Sequence, residues 1–257
     1  NQLLPEFGAE KLFVEGDAVI LALYEYASQA DSASGLHPVA RACSLASRIL
    51  QLVARQNVQN RDAGLPELEL GLGIAFSPRE PHFLYDEGRR IVISPAINRA
   101  DRLSSNAPAL RAAGIFPLEK GQRVLVVRDA SAAASPNDAG ELIAFNVNGI
   151  HLEQAAFFAL RREISMRQTR LSVRGDEDAL YFLGDHSDGF GREHRVAVRC
   201  ASVRDWDGHA VGGVEPKHRH YFEVIADETI ATALHKLPHQ LDDSGIGWQW
   251  HCPPPTK

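Results

Sequence analysis

Between Lys11 and Tyr24 two short apolar runs, Lys11 to Val14 and Ala18 to Tyr24, are separated by Glu15-Gly16-Asp17. A connection that short can reverse the chain only between antiparallel neighbours, because parallel strands need a crossover of a dozen residues or more. The two-residue turns whose twist matches a strand pair place the first central residue at positive φ, where glycine fits without strain. The chain is thus committed near its start to a hairpin with Asp17 at the tip, and whatever follows must be compatible with a sheet.

Beyond a polar, serine-bearing loop at 28 to 37, Val39, Cys43, Ala46, Ile49, Leu50 and Val53 recur at three and four residues, which predicts an amphipathic helix starting after Pro38. Arg55 to Gly64 reads as its polar exit. Leu68 to Phe76 reads as a strand, and so does Ile91 to Ile93, entered through the charged turn Asp86-Glu87-Gly88-Arg89-Arg90. Ser94 is a good N-cap and Pro95 a favoured first helical residue, and Ile97, Ala100 and Leu103 then form an apolar stripe. Further strands are expected at Arg123 to Val127, Leu142 to Val147, Leu171 to Val173, Leu180 to Leu183, Arg195 to Ala201 and His218 to Ile225, with a helix at Leu152 to Ile164. Ala130 to Gly140 reads as a flexible connection and residues 237–257, with Pro253-Pro254-Pro255, as a loosely packed tail. The predicted class is α/β in the broad sense, more narrowly α+β.

Composition bears on the partner. Acidic residues outnumber basic ones by 33 to 27, giving a formal charge of −6, which argues against nucleic acid as the main partner and leaves small anions open. With a mean hydropathy of −0.21 and no apolar run near the ~18 residues of a membrane span, a soluble chain is expected. Cys43, Cys200 and Cys252 are odd in number and far apart, so neither a disulfide framework nor a zinc knuckle is written here, and a cytoplasmic location fits. With Asn at position 1 and Met166 the one methionine, the natural start is expected upstream.

Taken singly, the polar residues have plain readings. Asp17 is a turn residue, Asn98 and Arg102 a solvated helix face, and Phe13 an apolar strand residue facing a core. His218 and His220 share a strand face with His209 upstream, but no Cys or carboxylate completes a metal set. Gly184 to Gly191 reads as a long polar turn without the spacing of a calcium loop. Gly71 and Gly73 lack the following helix of a dinucleotide fingerprint, and no nucleophile elbow introduces a hydrolase triad. Asn98 and Arg102, however, stand at i and i+4, one helical turn apart on one face, so an amide and a planar guanidinium can meet a single ligand.

Two segments go further. Glu10-Lys11-Leu12-Phe13-Val14-Glu15-Gly16-Asp17-Ala18-Val19, followed by Leu70-Gly71-Leu72-Gly73-Ile74-Ala75 and by Asp86-Glu87-Gly88-Arg89-Arg90 through Ile97-Asn98-Arg99-Ala100-Asp101-Arg102-Leu103, resembles the catalytic domain of the class III nucleotidyl cyclases, the adenylate and guanylate cyclases. The similarity runs from Glu10 to Ser105. The strands after Arg195, with Gly213-Val214-Glu215-Pro216 and Tyr221-Phe222-Glu223-Val224, are similar to the family's closing strands.

The resemblance implies a mixed or mostly antiparallel sheet with packed helices over 1–236, an insertion at about 106–194, and a tail at 237–257. It further implies a phosphorus–oxygen lyase that converts a nucleoside triphosphate to a 3′,5′-cyclic nucleotide and pyrophosphate for intracellular signalling. Asp17 would hold Mg²⁺ or Mn²⁺, Asn98 would orient the ribose and Arg102 would meet the phosphate. A homodimer is implied, with the aspartates of one subunit facing Asn and Arg of the other.

The pattern also departs from the family. The family's first metal aspartate lies on a strand preceding the hairpin. Its base-selecting positions match Phe13 and Ile91, neither of which can hydrogen-bond a base edge. Its triphosphate-gripping lysine matches Gly212, with Lys217 and Arg219 the nearest basic residues. These departures suit an unusual cyclase, one for a pyrimidine nucleotide included, or alternatively a catalytically silent module that binds nucleotide or dimerises to regulate an attached domain.

Overall fold

In the computed structural model, which describes residues 3–25, 37–104, 124–127, 141–144, 149–173, 176–188, 190–202 and 220–236, the chain opens with a 3-10 turn at Pro5–Phe7. The expected hairpin follows as β1 (Ala9–Glu15) and β2 (Ala18–Leu23). Glu15 pairs with Ala18 across Gly16-Asp17, and Gly16 has φ +59°, the left-handed value the turn requires.

Helix α1 (Pro38–Asp62) starts where expected and runs through the segment read as a polar exit. Polarity is not a stop signal: the Gln, Arg and Ala residues there favour helix, and Gln56 donates to Asn60 one turn on at 3.0 Å. The helix ends at Ala63-Gly64, where Gly64 has φ +69°. β3 is shorter than expected, Leu72–Ile74 instead of Leu68 to Phe76. Its parallel neighbour offers only a short stretch for pairing, and the Leu68 backbone is bonded instead to the Asn57 side chain (2.8 and 2.7 Å).

A second hairpin, β4 (His82–Asp86) and β5 (Arg89–Ile93), turns on Glu87-Gly88, both at positive φ. Its first strand was not expected from the sequence. Helix α2 (Pro95–Ser104) begins as expected, with Ser94 Oγ accepting from the Ala96 N–H at 3.3 Å. β6 (Val124–Val127) and β7 (Glu141–Ala144) pair with each other. The expected helix from Leu152 divides into β8 (Ile150–Leu152) and α3 (Gln154–Glu163). There follow β9 (Met166–Val173), β10 (Asp176–Ser187), β11 (Glu193–Ser202), β12 (His220–Val224) and a helix α4 (Glu228–Lys236) absent from the expectation. Its signal is local: Asp227 Oδ1 accepts from the N–H groups of Thr229 (2.8 Å) and Ile230 (3.1 Å) as an ordinary N-cap.

The architecture is α+β. Six strands run in the order β3-β8-β12-β11-β10-β9, with β3 and β8 parallel and all other neighbours antiparallel. Of the segment expected as an insertion at about 106–194, the part from Ile150 onward supplies β8, α3, β9 and β10, and β11 begins within it. Most of the 28 to 37 loop, the Ala130 to Gly140 connection and the tail 237–257 lie outside the described residues. No helix among the described residues is long and apolar enough to cross a membrane.

Strand alternation sorts the core into two layers. Val196, Val198, Cys200 and Phe182 face α1 and α3, while Ala197, Tyr181 and Leu183 face Ala231 and Leu234 of α4. The first layer centres on Phe157, whose ring stacks 3.9 Å from Phe222 and meets Phe182 edge-on at 4.8 Å. Removing a buried aromatic of this kind typically costs about 3–5 kcal/mol.

The start of α1 has an unusual cap. His37 precedes it at φ 60° with no capping side-chain bond, and the N–H groups of Val39 (3.1 Å) and Ala40 (2.8 Å) donate instead to the two oxygens of Glu163, the last residue of α3. Burial pushes the Glu163 carboxyl above its ordinary range, against the two N–H bonds that hold it down. Glu163→Ala should therefore lose about 1–2 kcal/mol of unfolding free energy in urea denaturation, and Glu163→Gln, which keeps an acceptor without a buried charge, should lose less.

Candidate functional site

Of the candidate site residues singled out in the sequence, those described lie on the β1–β2 hairpin, β5 and α2. Asp17 is exposed at the tip of the β1–β2 hairpin, and Asn98 is exposed on α2. Arg102 lies one turn further along the same helix. α2 packs on β3 and β8, whereas the hairpin packs on α1 and the N-terminal turn.

Helix α2 is held closely. A Cβ at Gly73 would lie 2.0 Å from the Ala100 carbonyl oxygen and 2.9 Å from Leu103 Cβ, so the helix backbone rests directly on β3 where that strand has no side chain. On the other side, Arg99 forms an ion pair from Nε to Glu153 Oε1 (2.5 Å) and donates from Nη2 to the Phe76 carbonyl (2.9 Å). The Phe76 N–H in turn donates to Glu153 Oε2 at 3.2 Å. Arg99 stands between Asn98 and Arg102 in sequence, and anchoring it fixes the rotation of α2 that leaves Asn98 in solvent.

Phe13 and Ile91 are 37% and 43% exposed, which corrects the reading of Phe13 as facing a core. The ladder slips between Lys11 and Phe13, and beyond this irregularity Phe13 to Asp17 are exposed. Glu10 on β1 and Arg90 on β5 form an ion pair that brings the strands of Phe13 and Ile91 to one side of the molecule. Lys217, Arg219, His209 and His218 lie outside the described residues. Gly184 to Ser187, expected within a polar turn, are the end of β10.

Among the described residues no group of three or more His, Cys, Asp or Glu side chains is arranged to hold a metal ion. Asp17 contributes one exposed carboxylate. A two-metal centre needs more than that, so the described residues do not by themselves fit the Mg²⁺ or Mn²⁺ pair that the resemblance implies.

A second polar centre, missed in the sequence, lies under the β10–β11 turn. Asp188 is buried, accepts the N–H groups of Phe190 and Arg192 (both 2.9 Å), and binds Arg192 Nε at 2.6 Å and His194 Nε2 at 3.0 Å. These bonds hold its carboxyl well below the ordinary range despite the opposing effect of burial, the largest single influence. The His194 ring stacks on His186 with centroids 5.1 Å apart, and His186 Nε2 lies 2.9 Å from Ser44 Oγ of α1. Burial, and then the neighbouring His194, lower the pKa of His186 to about 4. The signal was present as Asp188, Arg192 and His194 at i, i+4 and i+6, which only a tight strand reversal brings together.

Substituting Gly73 tests the seat of α2. Gly73→Ala should cost about 1–3 kcal/mol in thermal or urea unfolding, the usual range for overpacking, because the new methyl meets backbone that cannot rotate away.

Searches against models of protein families, curated proteins and solved structures find no match to this chain, so a functional reading rests on its own residues.

Proposed function

We propose that this chain is a nucleotidyl cyclase domain that works as a homodimer, converting a nucleoside triphosphate to a 3′,5′-cyclic nucleotide and pyrophosphate. The observation that carries the reading is α2: Asn98 is exposed and Arg102 follows one turn later on a helix fixed by Gly73 and by the Arg99–Glu153 pair. An amide and a guanidinium at that spacing suit a ribose and a phosphate on one ligand.

In the proposed reaction the ribose 3′ oxygen attacks the α-phosphorus and pyrophosphate leaves. Asn98 orients the sugar and Arg102 stabilises charge on the phosphoryl oxygens. Asp17 would be the residue that meets Mg²⁺ or Mn²⁺, and a metal held there would supply further stabilisation of charge on the phosphate oxygens. The homodimer, in which a second copy offers its own α2 to the Asp17 hairpin, is part of the proposal because the resemblance implies it.

A second reading, a silent nucleotide-binding or dimerisation module regulating an attached domain, is favoured by Phe13 and Ile91. Both are exposed apolar side chains at the positions where the family reads the base, and Asp17 is a single carboxylate.

Incubating the protein with each of the four nucleoside triphosphates and Mn²⁺ separates the two. The enzyme should yield a cyclic product from at least one, and Arg102→Ala should lower the rate about 100-fold or more, the scale of losing a transition-state donor. Asp17→Ala should also remove activity. No product from any triphosphate, together with a nucleotide-dependent rise in Tm, would select the silent module.

A further inference from the structure

The polar file under the β10–β11 turn reaches a place the cyclase reading does not use. It runs from Ser44 on α1 through His186, His194 and Asp188 to Arg192, whose Nη1 donates to Glu6 Oε2 at 3.0 Å in the N-terminal turn. The Phe7 ring lies 5.6 Å from the His194 ring. Arg41 of α1 donates from Nη1 to the Phe7 carbonyl (2.6 Å) and from Nη2 to the Tyr24 carbonyl (2.9 Å). Phe7 precedes β1 and Tyr24 follows β2, so both ends of the Asp17 hairpin are fastened at one spot, beside the stacked histidines.

That spot is poorly built for another positive charge. His194 faces His186 from β11, His37 precedes α1, Arg41 lies in its first turns and Arg192 closes the turn, while Asp188, Glu6 and, on the side of His37 and Arg41, Glu163 supply the opposing charge. A proton on His186 would place a buried cation in this group of positive side chains, its ring 5.1 Å from that of His194.

We propose that the His186–His194 stack is a proton-operated latch that holds the Asp17 hairpin against α1, closed while His186 is neutral and released when His186 takes up a proton. Its bearing on catalysis rests on the cyclase reading above, while the latch itself does not.

The sign follows from burial. His186 is harder to protonate in the closed state, where its pKa is about 4, than in an open or unfolded chain, where it is near 6.5. Closure is therefore fully favoured above pH 6.5, loses ground as pH falls toward 4, and levels off below.

Hydrogen exchange read by mass spectrometry at pH 7.0 and 4.5, corrected for intrinsic rates, tests this on the whole chain. Peptides from 9–23 should lose protection about tenfold or more relative to peptides from 154–163, the scale expected from a titration over that window. His186→Phe should abolish the difference. Glu6→Ala, an exposed change that tolerates folding if His186→Phe does not, should move the release to higher pH by weakening the tie and removing negative charge. Protection of 9–23 that is equal at both pH values, or lost in parallel with 154–163, would overturn the latch. Because the readout is exchange, its failure and the absence of a cyclic product are separate results.

Discussion

The contact between Glu163 and the start of α1 joins the two halves of the sequence. Val39 and Ala40 lie more than 120 residues from the carboxylate that receives their N–H groups, and without it the first turn of the longest helix would be capped by neither His37 nor Pro38. The bond fixes α1 against α3, and these two helices cover one face of the six-stranded sheet. The Phe157 cluster can close only when both are in place, and the docking of the N-terminal hairpin, through Arg41, is then defined as well.

Local chemistry was legible in the sequence where it was decided locally. The Gly16 turn, the Pro38 start and the Ser94-Pro95 start are each set by a few adjacent residues and are observed. Misreadings arise where a distant partner decides. Leu68 leaves the strand pattern because Asn57 takes its backbone, Leu152 joins a strand because β3 and β12 flank it, and Phe13 turns outward beyond a slip in the ladder. At the candidate site, positions on α2 and the hairpin tip could be foreseen. Their support from Gly73, Arg99 and Glu153 could not, because it depends on which strand lies beneath the helix.

The two polar centres differ in kind. The Arg99–Glu153–Phe76 arrangement is partly exposed and works mainly by geometry, since ion pairs open to water contribute little by themselves. The Asp188 centre is buried, and a buried charge persists only when its lone pairs are satisfied. Four bonds from three residues satisfy Asp188, so disturbing one of those partners weakens the rest. The centre is consequently a stiff knot in an otherwise solvent-facing turn.

Helix α1 has one more consequence. Arg41 near its start grips both ends of the Asp17 hairpin, and Asn57 near its finish grips the segment that leads into β3, the strand beneath α2. Sixteen residues of helix, about 24 Å of rigid rod, separate those grips. A tilt of the rod by a few degrees, pivoting near the Glu163 cap, would shift its far end by one to two ångströms, by the length of that lever. Anything that rocks α1 at one end is thereby geared to the other, and the two groups of candidate residues are the loads on a single arm.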